Sequence, residues 1–360
     1  MTMRSGTKSL GARTPHRALS ASQVLVVLLL CTGGLLPGGP VHAQAPETSH
    51  DYTFGQTATF ALELPAESTV EHATFYLQAN RAPTTGIDAH VTDGRTEITR
   101  NLVVEPLPPY ANLTYWWSYD DDAGGLVETE RVSFQYIDNR YVWQLAEGDG
   151  LTVHWVTGER SRMIQAVDVA ETALRTFQEA LGTDPVEGTD IYLYPSQTDL
   201  ASAMQLAGFD WAGGVAYPEL GVVLVAIPPT VDAPLMMQQD IPHELTHRAL
   251  YDWLGSQGYA ALPTWLNEGL AMAFEMRPDP LRAVVIEEAH ISGNLIPLAE
   301  LCQPFPDDPQ RAELAYAQSE RIVAYLRQTY GWSGLRRLIL AYADGKACNA
   351  GMLEGIEQDL

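Results

Sequence analysis

His243-Glu244-Leu245-Thr246-His247, followed by Trp265-Leu266-Asn267-Glu268-Gly269-Leu270-Ala271, decides how this chain is read. On a helix, positions 243 and 247 lie on one face about a turn apart, so both imidazoles can point at a single ion. Protein-bound zinc prefers nitrogen, sulfur and carboxylate ligands, and a catalytic zinc leaves its fourth position to water. Glu244 is turned by about 100° around the helix. It is therefore a poor co-ligand but can reach the water, where hydrolysis of an amide needs a base. One helix face cannot supply three ligands, so the third must come from the second stretch.

The flanking residues carry helix signals. Residues 239–254 read as a helix with Leu245, Ala249, Leu250 and Trp253 on its apolar side. Asp240 with Pro242 reads as its cap and first turn. Pro263 then breaks the chain, and Thr264 is expected to cap a second helix bearing Glu268.

Together, HELTH and WLNEGLA resemble the gluzincin clan of zinc metallopeptidases, in particular its peptidase MA-like branch. The resemblance covers roughly residues 151–360 and implies a zincin-like domain there. It implies Zn2+ held by His243, His247 and Glu268, with Glu244 as general base. Zinc aminopeptidases of this clan use a tyrosine from a later helix to stabilise the oxyanion, which points to Tyr316; a core tyrosine beside Leu314 and Val323 is the plainer reading. The metzincin continuation is absent, since positions 250 and 253 are Leu and Trp. That excludes the three-histidine class.

The 360 residues suggest about two domains. Arg4, Lys8, Arg13 and Arg17 precede an apolar run at 24–30, and Val41-His42-Ala43 offers a cleavage site. This reads as a secretory signal peptide over 1–43, the run being short for a membrane anchor. Its removal, taking four basic and no acidic residues, moves the formal charge from −24 to −28. Such a surface repels nucleic acid and anionic membrane. In an exported chain the two remaining cysteines, Cys302 and Cys348, are expected to pair.

Residues 44–55 read as a tether. From 57 onward short alternating runs (57–64, 73–77, 96–104, 113–119, 127–137, 141–145) are separated by turn residues. They predict an antiparallel β-sandwich, immunoglobulin- or fibronectin-like, over 56–148. Such a module offers a surface for a cell-surface or extracellular partner. Asn112-Leu113-Thr114 fits a glycosylation acceptor in a eukaryotic host. Gly148-Asp149-Gly150 marks the boundary. Beyond it come a strand at 151–156, a helix at 160–181, a strand at 190–194, a helix at 197–206 and a hairpin at 213–227. Helices follow at 283–290, 313–330 and 334–343, and the last residues read as an unfinished helix. The fold class is α+β, a sandwich followed by a zincin-like domain.

Residues 221–226 are expected to be the sheet edge along which an extended peptide pairs, or else a plain core strand. Glu219 is the residue considered for holding a substrate amine. His154 and His290 read as structural, and Asn267 as fixing the turn of the second helix. Gly331-Trp332-Ser333-Gly334 lacks the strand that a serine elbow needs. The function expected is a secreted zinc peptidase acting on peptides or proteins. A non-catalytic binding protein on a zincin scaffold and a zinc hydrolase of other amides or esters are the alternatives.

Overall fold

The computed structural model describes residues 45–357 apart from Arg81, Asp122 and 205–212. The expected signal segment lies outside the described residues. The architecture is α+β, antiparallel sheets followed by a helical half.

The first eight strands are β1 (Glu47–Thr53), β2 (Thr57–Glu63), β3 (His72–Ala79), β4 (Thr85–His90), β5 (Arg95–Asn101), β6 (Asn112–Asp120), β7 (Leu126–Glu128) and β8 (Val132–Gln135). They form two antiparallel sheets, β1-β2-β5 and β4-β3-β6-β7, with β8 also paired to β6. Alternation puts Phe60, Leu62, Phe75, Leu77, Tyr115 and Trp117 in the core. Three expectations change here. The tether contains β1, whose His50 stacks on Phe134 and whose Tyr52 packs against Tyr136. Its every-other-residue burial is carried by a histidine and a tyrosine rather than by aliphatics. The 127–137 run is two strands, β7 and β8, on different stretches of β6. β4 has too few apolar residues to be read in advance.

The strand expected at 141–145 instead becomes β9 (Gln144–Gly148), which leaves the sandwich. It pairs antiparallel with β10 (Leu151–Trp155), and Asp149-Gly150 is a two-residue hairpin turn with Gly150 at φ 71°. Then follow α1 (Arg160–Leu181), β11 (Thr189–Tyr194), α2 (Gln197–Met204), β12 (Gly214–Tyr217) and, after a single 3₁₀ turn, β13 (Val222–Ala226). The sheet order is β12-β13-β11-β10-β9, with β10, β11 and β13 parallel and both outer strands antiparallel. The stretch 221–226 is therefore not an edge. All five residues of β13 are buried between β11 and β12, and β12 is the edge. An unbroken apolar run suits a strand covered on both faces.

Two covers meet β13. Val223 and Val225 face α1 and α3, beside Met163, Ala170 and Leu245. Val222, Leu224 and Ala226 face the other way, into the same core as the sandwich. There, buried Asp138 accepts from Arg140 Nε and Nη2 at 2.8 and 2.6 Å and from the Tyr194 hydroxyl at 3.0 Å. Tyr194 also shares a 2.7 Å hydrogen bond with Tyr110. The sandwich thus closes one face of the third sheet, β12-β13-β11-β10-β9.

The helical half continues with α3 (Ala233–Ala261), α4 (Thr264–Phe274), α5 (Pro280–Ser292), α6 (Leu298–Leu301), α7 (Pro309–Ala343) and α8 (Cys348–Ile356). Asp232 is the N-cap of α3, so Asp240 and Pro242 lie inside the helix instead of opening it. Pro242 has no N–H for the carbonyl of Gln238. That carbonyl accepts from Met276 N–H at 2.9 Å, tying α3 to the end of α4. Pro263 occupies the N-cap of α4, with Thr264 already helical. The helices read at 313–330 and 334–343 are two limbs of α7, kinked at Gly331 (φ 67°). Cys302 and Cys348 form the expected disulfide. Among the described residues no helix is long and apolar enough to cross a membrane.

Candidate active site

α3 presents His243, Glu244 and His247, α4 presents Glu268, and both face a cavity of about 420 Å³ walled by Gly213–Ala216 and Tyr316. One ligand atom from each of His243, His247 and Glu268 lies within 4.8 Å of the others. The Glu268 carboxylate oxygen is 3.4 Å from His243 Nε2 and 3.7 Å from His247 Nε2. The residues read as metal ligands are therefore gathered at one point, with Glu244 in the same cavity.

The rings are held from behind. His243 Nδ1 lies 3.1 Å from Glu275 Oε1, and a carboxylate can only accept, so Nδ1 carries the proton. His247 Nδ1 lies 3.1 Å from Asn267 Oδ1, and Asn267 is also hydrogen-bonded to Tyr259. Both Nε2 atoms are left facing Glu268. Asn267 thus orients the His247 ring, a role beyond the turn expected of it. Glu275, with its side chain 1 % exposed, is gripped by both Arg282 Nη atoms at 2.8 Å, and Arg282 reaches Glu320 at 3.3 Å.

Two glycines permit this closeness. A Cβ on Gly269 would sit 2.6 Å from the Ser319 carbonyl, so α4 lies against α7 only with glycine next to Glu268. A Cβ on Gly214 would sit 2.8 Å from both Cγ and Oε1 of Glu244. The edge strand therefore presses on the candidate base, which is also hydrogen-bonded to the backbone of Ala216.

Tyr316 arrives from α7, packed edge-on against Phe305. Three residues considered from sequence lie elsewhere. Glu219 is exposed on the 3₁₀ turn and does not line the cavity. His154 stacks on Tyr192 and bonds Asp190 at 2.7 Å, and His290 is exposed on α5. The sequence reading missed Tyr259, Glu275, Arg282 and Asp240 as parts of the site. Glu275 had a signal, seven residues after Glu268 and so two turns along the same face; Tyr259, beyond the α3 kink at Gly255, had none.

The profile of the Peptidase MA superfamily matches residues 169–359, more than half of the chain. The chain belongs to the Peptidase MA superfamily. No curated protein sequence matches it. Among solved structures, a mutant of the M1 zinc metallopeptidase from Deinococcus radiodurans is similar over 85 % of this chain and 89 % of its own, at 12 % identity and a TM-score of 0.41. A two-domain M1 zinc metallopeptidase is similar over 84 % and 86 %, at 12 % identity and a TM-score of 0.39. A family 56 carbohydrate-binding module is similar over 25 % of this chain and 99 % of its own, at 14 % identity and a TM-score of 0.20. Likeness this slight says nothing about activity.

In this Peptidase MA member the site's electrostatics suit a cation. Burial alone would lower His243, but its hydrogen bonds to Glu268 and Glu275 outweigh that and push it up to about 10. Burial holds His247 below the usual range. Burial would raise Glu268, yet the His247 and His243 charges pull it down. Burial pushes Glu244 up to about 8. Without metal, one proton is thus held where the carboxylate and the rings converge. Two imidazoles with fixed tautomers and one carboxylate are a donor set that fits zinc.

Proposed function

We propose that this chain is a zinc-dependent metallopeptidase that hydrolyses peptide bonds. The observation that carries the reading is the convergence of His243, His247 and Glu268 beside Glu244 in one cavity. His243, His247 and Glu268 hold the zinc, which when bound supplies Lewis acidity to the carbonyl and the attacking water. Glu244, pressed by Gly214 and tethered to Ala216, removes the proton from that water and returns it to the leaving nitrogen. Burial keeps the Tyr316 phenol protonated, so it donates a hydrogen bond to the oxyanion as the carbonyl carbon becomes tetrahedral. The substrate backbone pairs with β12, the sheet edge that borders the cavity. Export is part of the same proposal, supported by the Cys302–Cys348 disulfide.

The test is zinc content together with hydrolysis of casein and short peptides. Glu244→Gln keeps its zinc and loses at least ~100-fold in kcat/KM. Glu268→Ala loses the metal. Equal activity in wild type and Glu244→Gln removes the assigned base, and unchanged zinc in Glu268→Ala removes the assigned ligand.

A further inference from the structure

The sandwich carries a second pair of imidazoles, which the proposed chemistry does not use. His72 opens β3 and His90 closes β4, and the strand register sets them directly opposite each other. The Val91 N–H bonds the Glu71 carbonyl at 2.8 Å, one residue outside the pair. His72 and His90 therefore form a non-hydrogen-bonded pair, the kind in which facing side chains come closest. Both residues are exposed, and their rings lie 5.3 Å apart, centroid to centroid, tilted by 58°.

That spacing is the spacing of a chelate. Two imidazoles on one tetrahedral ion, with metal–nitrogen distances of about 2.0–2.1 Å, have their centroids roughly 5 Å apart. His243 and His247, the pair read as catalytic ligands, stand at 5.2 Å. No described residue hydrogen-bonds either ring of the sandwich pair, so their nitrogens are free to bind an ion. Asp88 and Asp120 wall the hollow beside His72, and their charge favours a cation there. β4 also has little packing to hold it. It is the edge of its sheet, and of its six residues only Ala89 is buried. An ion shared by the two rings would fasten the last residue of that strand to β3.

We infer that His72 and His90 form a second metal site, which binds a late first-row divalent cation (Zn2+, Cu2+ or Ni2+) and clips β4 to its sheet. Two nitrogen donors select these ions over Mg2+ and Ca2+, which take oxygen ligands, and water fills the remaining positions. The inference goes beyond the metallopeptidase reading and does not depend on it.

The test uses the full chain without a histidine tag, its catalytic centre already loaded with zinc. Titration calorimetry with Zn2+ shows one further equivalent. Bound Cu2+ shows two equatorial nitrogens by electron paramagnetic resonance. His72→Ala and His90→Ala each weaken that equivalent by about 100-fold, because losing one ring removes the intramolecular second contact. His290→Ala, which removes an exposed ring on α5, leaves it unchanged. Glu268→Ala, stripped of catalytic zinc, still binds it, so a failure of the peptidase reading leaves this result legible. Amide exchange over Thr85–His90 slows on metal addition in wild type and in neither histidine variant. Absence of a further equivalent in wild type, or one that survives in both His72→Ala and His90→Ala, overturns the site. Binding without slower exchange in β4 overturns the clip.

Discussion

Removal of the Glu275 carboxylate is expected to loosen the metal before it unfolds the protein. Glu275 fixes the tautomer and tilt of His243 through one 3.1 Å hydrogen bond, and Arg282 fixes Glu275 through two contacts of 2.8 Å. In Glu275→Ala, His243 loses the acceptor behind it, and Arg282 keeps only Glu320 at 3.3 Å. Losing such a partner costs about 10- to 100-fold in metal affinity, or about 1.4–2.8 kcal/mol. Breaking a buried ion pair costs about 3–5 kcal/mol. Arg282 retains a carboxylate and is 15 % exposed, so about 2 kcal/mol of stability is the expected loss here. Glu275→Gln keeps a neutral acceptor for His243 and falls between wild type and Glu275→Ala in zinc affinity. The assay is competition for zinc against a chromophoric chelator, with thermal melts of the metal-free proteins alongside. Arg282→Ala, which frees Glu275 to move without removing it, loses less affinity than Glu275→Ala. A folded Glu275→Ala that binds zinc within about twofold of wild type would refute the idea that this carboxylate positions the ligand.

Further outcomes follow from neighbouring contacts. Gly214→Ala drives a methyl into Glu244 and Val225 at 2.8 Å, so it costs about 1–3 kcal/mol of stability. It lowers kcat/KM by about 100-fold while zinc stays bound, so full activity in stopped peptide assays would mean that Glu244 need not lie against β12. Asp138→Asn removes the charge and one of the two acceptor oxygens that hold Arg140 and Tyr194, and lowers stability by about 3 kcal/mol. Because that network and the shared core join the sandwich to β11, calorimetry should show one transition moving down as a whole; an unchanged transition for the helical half would contradict a common core. Asp240 has a folded acid constant raised from 3.8 to about 6, so its contribution to stability is full below pH 3.8 and is lost as pH rises through 6. Metal-free wild type therefore loses up to roughly 2 kcal/mol relative to Asp240→Asn between pH 4 and 7, and parallel denaturant-midpoint curves for the two would refute it.

What could be read along the chain was whatever depends on local spacing. The separation of His243 from His247 sets two rings on one helix face. The stripe from Arg160 to Leu181 gave α1 its full length, and the alternation in β2, β3 and β6 gave the sandwich its core strands. Boundaries failed where a polar sequence was recruited by a distant partner, as β1 was by Phe134 and Tyr136. They failed also where a turn residue was mistaken for a domain break, as at Asp149-Gly150.

The order of strands came from pairing alone, and it moved the candidate substrate edge from β13 to β12. No run of apolar residues distinguishes a strand flanked by two neighbours from one flanked by a single neighbour. Residues 222–226 showed only that the strand is covered on both faces, not that the sandwich is one of the covers.

Residue types and their helical phase determined, from the sequence by itself, which groups could hold a metal and which could take a proton. Tertiary structure decided what stands behind and around them: Glu275 and Asn267 on the rings, and Gly214 against the base. The physical reason is range. Helical phase is a property of neighbours four residues apart, whereas a hydrogen bond from His243 to Glu275 spans 32 residues and exists only once α3 and α4 have packed.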